Sequence, residues 1–208
     1  MTGLARHRIV TLDPAYWASV VKARPELPPV VVEWVASGRP LIARRPTCGD
    51  GAGGVPLGLP LPPSLGKQRL AFVVPPDAIV ADAPPPLLAD AATAVPEDWQ
   101  ATIRALVALD PGTRCFGSLA WAWLTGLPYL SATSDLDCLW TVADANAADR
   151  RVAAIAGIEA DAPIGLDGEL LAPTGHAVHW REWASGAREL LVKAADGNRV
   201  VAREAVFA

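Results

Sequence analysis

Residues 114–142 read RCFGSLAWAWLTGLPYLSATSDLDCLWTV. RCFGS is a short strand ending in a turn, and LAWAWLTG (119–126) is an apolar helix stopped by Gly126 and Pro128. DLDCLWTV (135–142) is a β-rich run. In a strand, residues two apart share a face, so Asp135 and Asp137 project side by side while Leu136 and Cys138 point into a core. Burying unpaired carboxylates costs several kcal/mol, and neighbouring carboxylates also repel. Such a pair calls for a cation, and its spacing suits one divalent ion or a share of two. Magnesium, or manganese in its place, is the hard cation that carboxylates and substrate phosphates hold together.

The turn before the helix supplies the other half of the constellation. Gly117 permits a tight strand-to-helix turn and a close approach of ligand to backbone. Ser118 is expected at the N-cap of the helix, whose free N–H groups and positive dipole end favour a phosphate. Alone, an Asp-x-Asp is most often an ordinary turn or solvated edge, and a Gly-Ser pair says less still. Their joint order sets a phosphate seat beside a metal seat, as phosphoryl transfer requires.

The flanking sequence predicts the rest of an α+β (α/β-like) chain. Helices are expected over 14–24, 97–109 and 144–158. Residues 29–36 fit a helix or a strand, and strands are expected near Pro40–Arg45 and over RLAFVVP. The Pro- and Gly-rich stretch CGDGAGGVPLGLPLPPSLGKQR reads as loop, and ADAPPPLLADAA as connector. PIGLDGELLAP (163–173) and HAVHWREW (176–183) read as strands, or as a strand and a turn. ELLVKAADGNRVVA reads as a hairpin around Asp196, Gly197 and Asn198. This divides the chain into an N-terminal module at 1–92 and a catalytic domain at 93–208, a mixed sheet with flanking helices.

With 208 residues, half of them hydrophobic, the chain has ample material for a core. Its net charge of −4 and the lack of a dense basic stripe argue against a nucleic-acid polymer as ligand. Three cysteines with no CxxC pairing read as free thiols in a reducing cytoplasm. No window approaches 18 uncharged apolar residues, so no membrane span is expected. GLPLPPSLGKQ is no P-loop, because it lacks the Ser or Thr after the lysine and carries three prolines. His176 and His179 read as a structural pair, since no other zinc ligand accompanies them. Trp121, Trp123 and Trp140 flank the site, with core packing the safer reading than stacking on a base.

Gly-Ser followed within about twenty residues by SDLD resembles the nucleotidyltransferase superfamily. The wording FGSLAWAWLTGLPYLSATSDLDCLW, with GRPLIARR, VPLGLPLPP, GKQR and VHWRE, is similar to one family within it. That family is the phosphoribosyl-dephospho-CoA transferases, the holo-acyl-carrier-protein synthases of malonate decarboxylase. The likeness runs from about Gly38 to Lys193. It implies transfer from 2′-(5″-triphosphoribosyl)-3′-dephospho-CoA to a serine of the apo acyl-carrier subunit of malonate decarboxylase, with release of diphosphate. On that reading Asp135 and Asp137 are catalytic and hold the metal, Gly117 and Ser118 hold phosphates, and one aspartate is a candidate to take the serine proton.

Superfamily members often add a third carboxylate from a neighbouring strand. Asp167 either fills that place or sits in a hairpin turn, Asp-Gly being a strong turn signal; Glu169 is the weaker candidate. An anionic donor also needs cations, for which the resemblance favours Arg44, Arg45 and Lys67, with Arg181 and Lys193 behind them. Two alternatives stay open. One is a nucleotidyltransferase moving AMP from ATP to a hydroxyl, against which the N-terminal blocks speak. The other is a non-catalytic nucleotide- or carrier-binding module, against which the intact Gly-Ser and Asp-x-Asp speak.

Overall fold

The computed structural model describes residues 4–50, 53–195 and 197–208. The class is α+β, and contacts divide the chain at Pro85/Pro86 into two compact units.

The N-terminal unit runs β1 (Ile9–Leu12), α1 (Pro14–Lys22), α2 (Pro29–Val32), β2 (Leu41–Ala43), β3 (Val55–Pro60), β4 (Arg69–Val74) and β5 (Ile79–Ala83). Asp13 caps α1 by accepting from the Tyr16 N–H at 2.9 Å, and Pro14 takes the first turn, where a missing N–H costs nothing. The strands form one antiparallel sheet in the order β4-β3-β2-β1-β5. Two indole N–H groups anchor its core. Trp17 donates to the Val31 carbonyl at 3.1 Å and Trp34 to the Pro40 carbonyl at 2.8 Å.

β3 overturns the loop expected over this stretch. Leu57, Leu59 and Leu61 alternate and are all buried, which is the period of a half-buried strand. The intervening prolines are tolerated because β2 pairs only with Leu57 and Gly58. Pro60 falls beyond that overlap, and Pro56 stands at its end, where its carbonyl still accepts the Arg44 N–H at 3.1 Å, so the missing N–H groups fall at the margin of the β2–β3 ladder. β1 and β5 likewise appear where the sequence reading places no strand. Val10 and Leu12 give β1 only two inward positions, and β5 is an exposed edge.

The C-terminal unit runs α3 (Leu88–Ala91), α4 (Gln100–Leu109), β6 (Arg114–Cys115), α5 (Gly117–Thr125), β7 (Leu136–Thr141), α6 (Ala145–Ala160), β8 (Leu166–Leu171), β9 (Ala177–His179), α7 (Trp180–Ala184), β10 (Glu189–Lys193) and β11 (Asn198–Ala202). Its sheet has the order β11-β10-β9-β8-β7-β6, antiparallel except for the β7–β8 pair. Parallel neighbours need a crossover, and α6 provides it. Asp144 starts that helix by accepting from the Ala147 N–H at 2.7 Å. Ala148, Val152 and Ile155 then line its buried face. Leu88, Ala91, Trp99, Ile103 and Leu106 join the same core as Leu136, Cys138, Trp140, Leu166 and Leu170. One face of β7 and β8 therefore builds the core and leaves their alternate residues on the other. Of the expected hairpin turn, Asp196 lies outside the described residues; β10 and β11 pair from Glu189↔Ala202 to Lys193↔Asn198. No helix among the described residues is long and apolar enough to cross a membrane.

The three cysteines are free thiols, with Cys48 exposed and Cys115 and Cys138 buried opposite each other on β6 and β7. Burial pushes the Cys115 thiol up to about 12 and the Cys138 thiol well above its usual range. The thiolate is the reactive form. Titration of the native protein with an aromatic disulfide is therefore expected to find one reactive thiol, and three only after denaturation.

Candidate active site

The parallel register of β7 and β8 sets Asp137 directly beside Asp167. Asp135 lies just before β7, two residues from Asp137 and on its face. One carboxylate oxygen from each of the three lies within 4.8 Å of the others. Asp135 is exposed; Asp137 and Asp167 are half-buried.

Asp167 is thus the second residue of β8, within the strand, and the Asp-Gly turn is not formed. Gly168 has another reason to be glycine. A Cβ there would stand 2.5 Å from the Trp140 ring and 2.6 Å from the Cys138 carbonyl oxygen. The Trp140 indole fills the space where that side chain would go, and Trp140 is fully buried, so it is core rather than a stacking platform. Trp121 is buried too, 5.9 Å from the Tyr129 ring, whereas Trp123 is exposed.

Gly117 sits beneath the acidic cluster. Its φ of +61° is a left-handed conformation, and a Cβ would come within 1.8 Å of Asp137 Oδ2. The Asp137 carboxylate occupies the place a side chain would take. The Phe116 N–H donates to the Asp137 carbonyl at 3.0 Å, which fixes the turn to β7. The expected cap is displaced by two residues. Phe116, not Ser118, is the N-cap, without a side-chain bond, and Ser118 falls in the first turn of α5. The positive φ of Gly117 lets the chain enter the helix early.

Around Asp167 lie groups that sequence reasoning assigned elsewhere. His179, read as a structural histidine, puts Nε2 2.6 Å from Asp167 Oδ1. The Gly168 N–H donates to the same oxygen at 2.6 Å. No local sequence signal links positions 167 and 179; the β8–β9 hairpin does, with Glu169 opposite His179. Glu169 stands outside the aspartate cluster, buried and ion-paired with Lys193 at 2.6 Å. Arg181 binds the Leu166 carbonyl at 2.8 Å and pairs with Glu159, bracing the start of β8.

Arg44, Arg45 and Lys67 belong to the N-terminal unit. The Arg44 guanidinium donates to both Asp50 oxygens, at 2.5 and 2.7 Å, and to the carbonyls of Leu57, Arg45 and Phe72. All five N–H donors are engaged within the unit, so Arg44 is a framework residue. Arg45 is half-buried at the end of the β2 segment. Lys67 is exposed in a turn, with φ +53° next to Gly66 at +87°. The hydrogen bonds from Arg44, then the Thr47 N–H, hold the Asp50 carboxyl well below its usual range. A depressed carboxylate contributes stability that is full above its unfolded pKa of about 3.9 and drains away as pH falls below it. Asp50→Asn is expected to reduce melting temperature at pH 7 and to flatten the acid-side loss below about pH 4, measured by thermal unfolding against pH.

The donor set fits a hard divalent cation. Three carboxylates this close repel by about 1 to 4 kcal/mol per pair, depending on solvent access. Oxygen-only ligands are what magnesium and manganese take. Comparison with known proteins turns this geometry into a family. The "Phosphoribosyl-dephospho-CoA transferase MdcG" N-terminal domain matches residues 5–85, and the C-terminal domain of the same description matches residues 87–204. The chain belongs to the phosphoribosyl-dephospho-CoA transferase family. Proteins of that name from Bradyrhizobium diazoefficiens and Xanthomonas campestris are similar to it, at 43% identity over 194 residues and 39% over 208. The first alignment covers 90% of this chain and 85% of the relative, the second 97% and 96%. A Pseudomonas putida protein of the same name is 34% identical over 197 residues, covering 89% of this chain and 90% of its own. No solved structure matches the chain. Family membership makes the protein a transferase, and the acidic cluster lies in the part matched by the C-terminal domain.

Proposed function

We propose that the protein is a nucleotidyltransferase that moves phosphoribosyl-dephospho-CoA from its 5″-triphosphate donor to a serine of the acyl-carrier subunit of malonate decarboxylase. The observation that carries this is the convergence of Asp135, Asp137 and Asp167 above Gly117, in a chain whose relatives are named for that group transfer. The serine oxygen attacks the α-phosphorus, a phosphodiester forms, the α–β phosphoanhydride bond breaks and diphosphate leaves with its electron pair. The serine proton passes to a base, for which the aspartates at the site are the candidates.

The three aspartates would hold magnesium or manganese, which supplies charge neutralisation on the phosphates. The chain's own contribution is positioning and electrostatics, which suffices for phosphoryl transfer. Gly117 keeps the floor of the site free of side chain, and with Ser118 opens the first turn of α5 to a phosphate. Of the three cations that the resemblance favours, Arg45 and Lys67 keep a proposed role toward the donor. Arg44 does not, being committed to Asp50. Release of diphosphate with apo carrier and the triphosphoribosyl donor, compared with ATP as donor, tests the reading. Release only with the triphosphoribosyl compound is expected; release only with ATP would make the protein an adenylyl transferase.

A further inference from the structure

His179 ends β9 and begins α7, and each of its ring nitrogens has a distinct partner. The Arg181 N–H donates to Nδ1 at 3.1 Å, the N-cap bond of the short helix. A nitrogen accepting that bond carries the lone pair, so the ring proton is on Nε2. Nε2 then donates to Asp167 Oδ1, 2.6 Å away. The ring stacks at 17° on Trp180, itself anchored by its indole N–H to the Leu166 carbonyl at 2.9 Å. Backbone bond, stack and carboxylate contact hold the imidazole in one plane. Oδ1 of Asp167 receives the Gly168 N–H as well, whereas Oδ2 accepts no hydrogen bond among the described residues.

We infer that His179 is a positioning residue for the metal site: capped into its Nε2–H tautomer, it pins Oδ1 of Asp167 and presents Oδ2 as the ligand. The inference rests on the reading of the aspartates as metal ligands. A ligating group whose far side is hydrogen-bonded is pre-oriented, and loss of such a partner weakens metal affinity about 10- to 100-fold.

The cap and the donor separate by substitution. His179→Asn keeps a good N-cap but is too short for Asp167; His179→Gln keeps a donor of suitable reach but is a poor cap. Mn²⁺ affinity of the full chain, from the free-ion electron paramagnetic resonance signal, is read beside the metal-free melting temperature. The expectation is that His179→Asn binds Mn²⁺ 10- to 100-fold more weakly with an unchanged melting temperature. His179→Gln should bind within about threefold of the unsubstituted protein while melting a few degrees lower. Asp137→Asn is the reference for losing the site. If Asp137→Asn loses Mn²⁺ but His179→Asn binds it normally, the inference falls and the metal reading stands. If Gln is as weak as Asn, the N–H donor is not what matters, and the inference falls likewise. If the unsubstituted protein binds no Mn²⁺, both fall.

Discussion

Asp135→Asn is expected to reduce transfer about a thousandfold or more while leaving the metal-free protein as stable as before. A metal site that contributes about 4 kcal/mol to stabilising charge on the phosphates corresponds to about that factor in rate. The residue is the most discriminating of the three because it is exposed and lies outside the strand proper. An exposed polar residue with only a structural part to play moves stability by about 0.5 kcal/mol or less and leaves chemistry untouched. Removing one negative charge from three whose oxygens lie within 4.8 Å also relieves repulsion, so the melting temperature without metal should hold or rise. Steady-state rates and thermal unfolding of the same preparation check both halves. A variant that melts lower and transfers normally would return Asp135 to the ordinary surface.

Gly117→Ala should cost both stability and rate, although it adds a single methyl. Two effects add. A non-glycine residue at φ +61° costs about 1–2 kcal/mol. The new Cβ would also stand 1.8 Å from Asp137 Oδ2, so the carboxylate must move by more than an ångström. Misplacement of that size at a reacting centre costs about a hundredfold in rate. Gly126 provides the control. Its φ is +68° at the other end of the same helix, and a Cβ there meets nothing within 4 Å. Gly126→Ala is expected to lose a similar 1–2 kcal/mol of stability and keep its activity. If the two variants are equally active, the contact with Asp137 has no catalytic meaning.

The elements that carry the candidate site are more legible in the sequence than those of the N-terminal module. Strand, Gly-Ser turn, apolar helix and Asp-x-Asp strand are local patterns, and the structure has them within one or two residues. The loss of the expected Ser118 cap comes from the positive φ of Gly117, which composition does not reveal. Asp167 stayed ambiguous because Asp-Gly favours a turn; what decides it is the Trp140 ring pressed on Gly168 from the neighbouring strand. In VPLGLPLPP, proline masked a leucine alternation that was visible all along. His179 was beyond reach, because its partner lies twelve residues away across a hairpin and neither residue hints at the other. At Arg44 the resemblance favours a contact with the donor, and only the geometry reveals that Asp50 pairs with its guanidinium.

The most direct measurement is the intact mass of apo acyl-carrier subunit after incubation with the protein, Mg²⁺ and triphosphoribosyl-dephospho-CoA, with Asp137→Asn in parallel. The account predicts a gain of one phosphoribosyl-dephospho-CoA, mapped to a single serine and absent with Asp137→Asn. An unmodified carrier, or one that gains the group equally with Asp137→Asn, would contradict it.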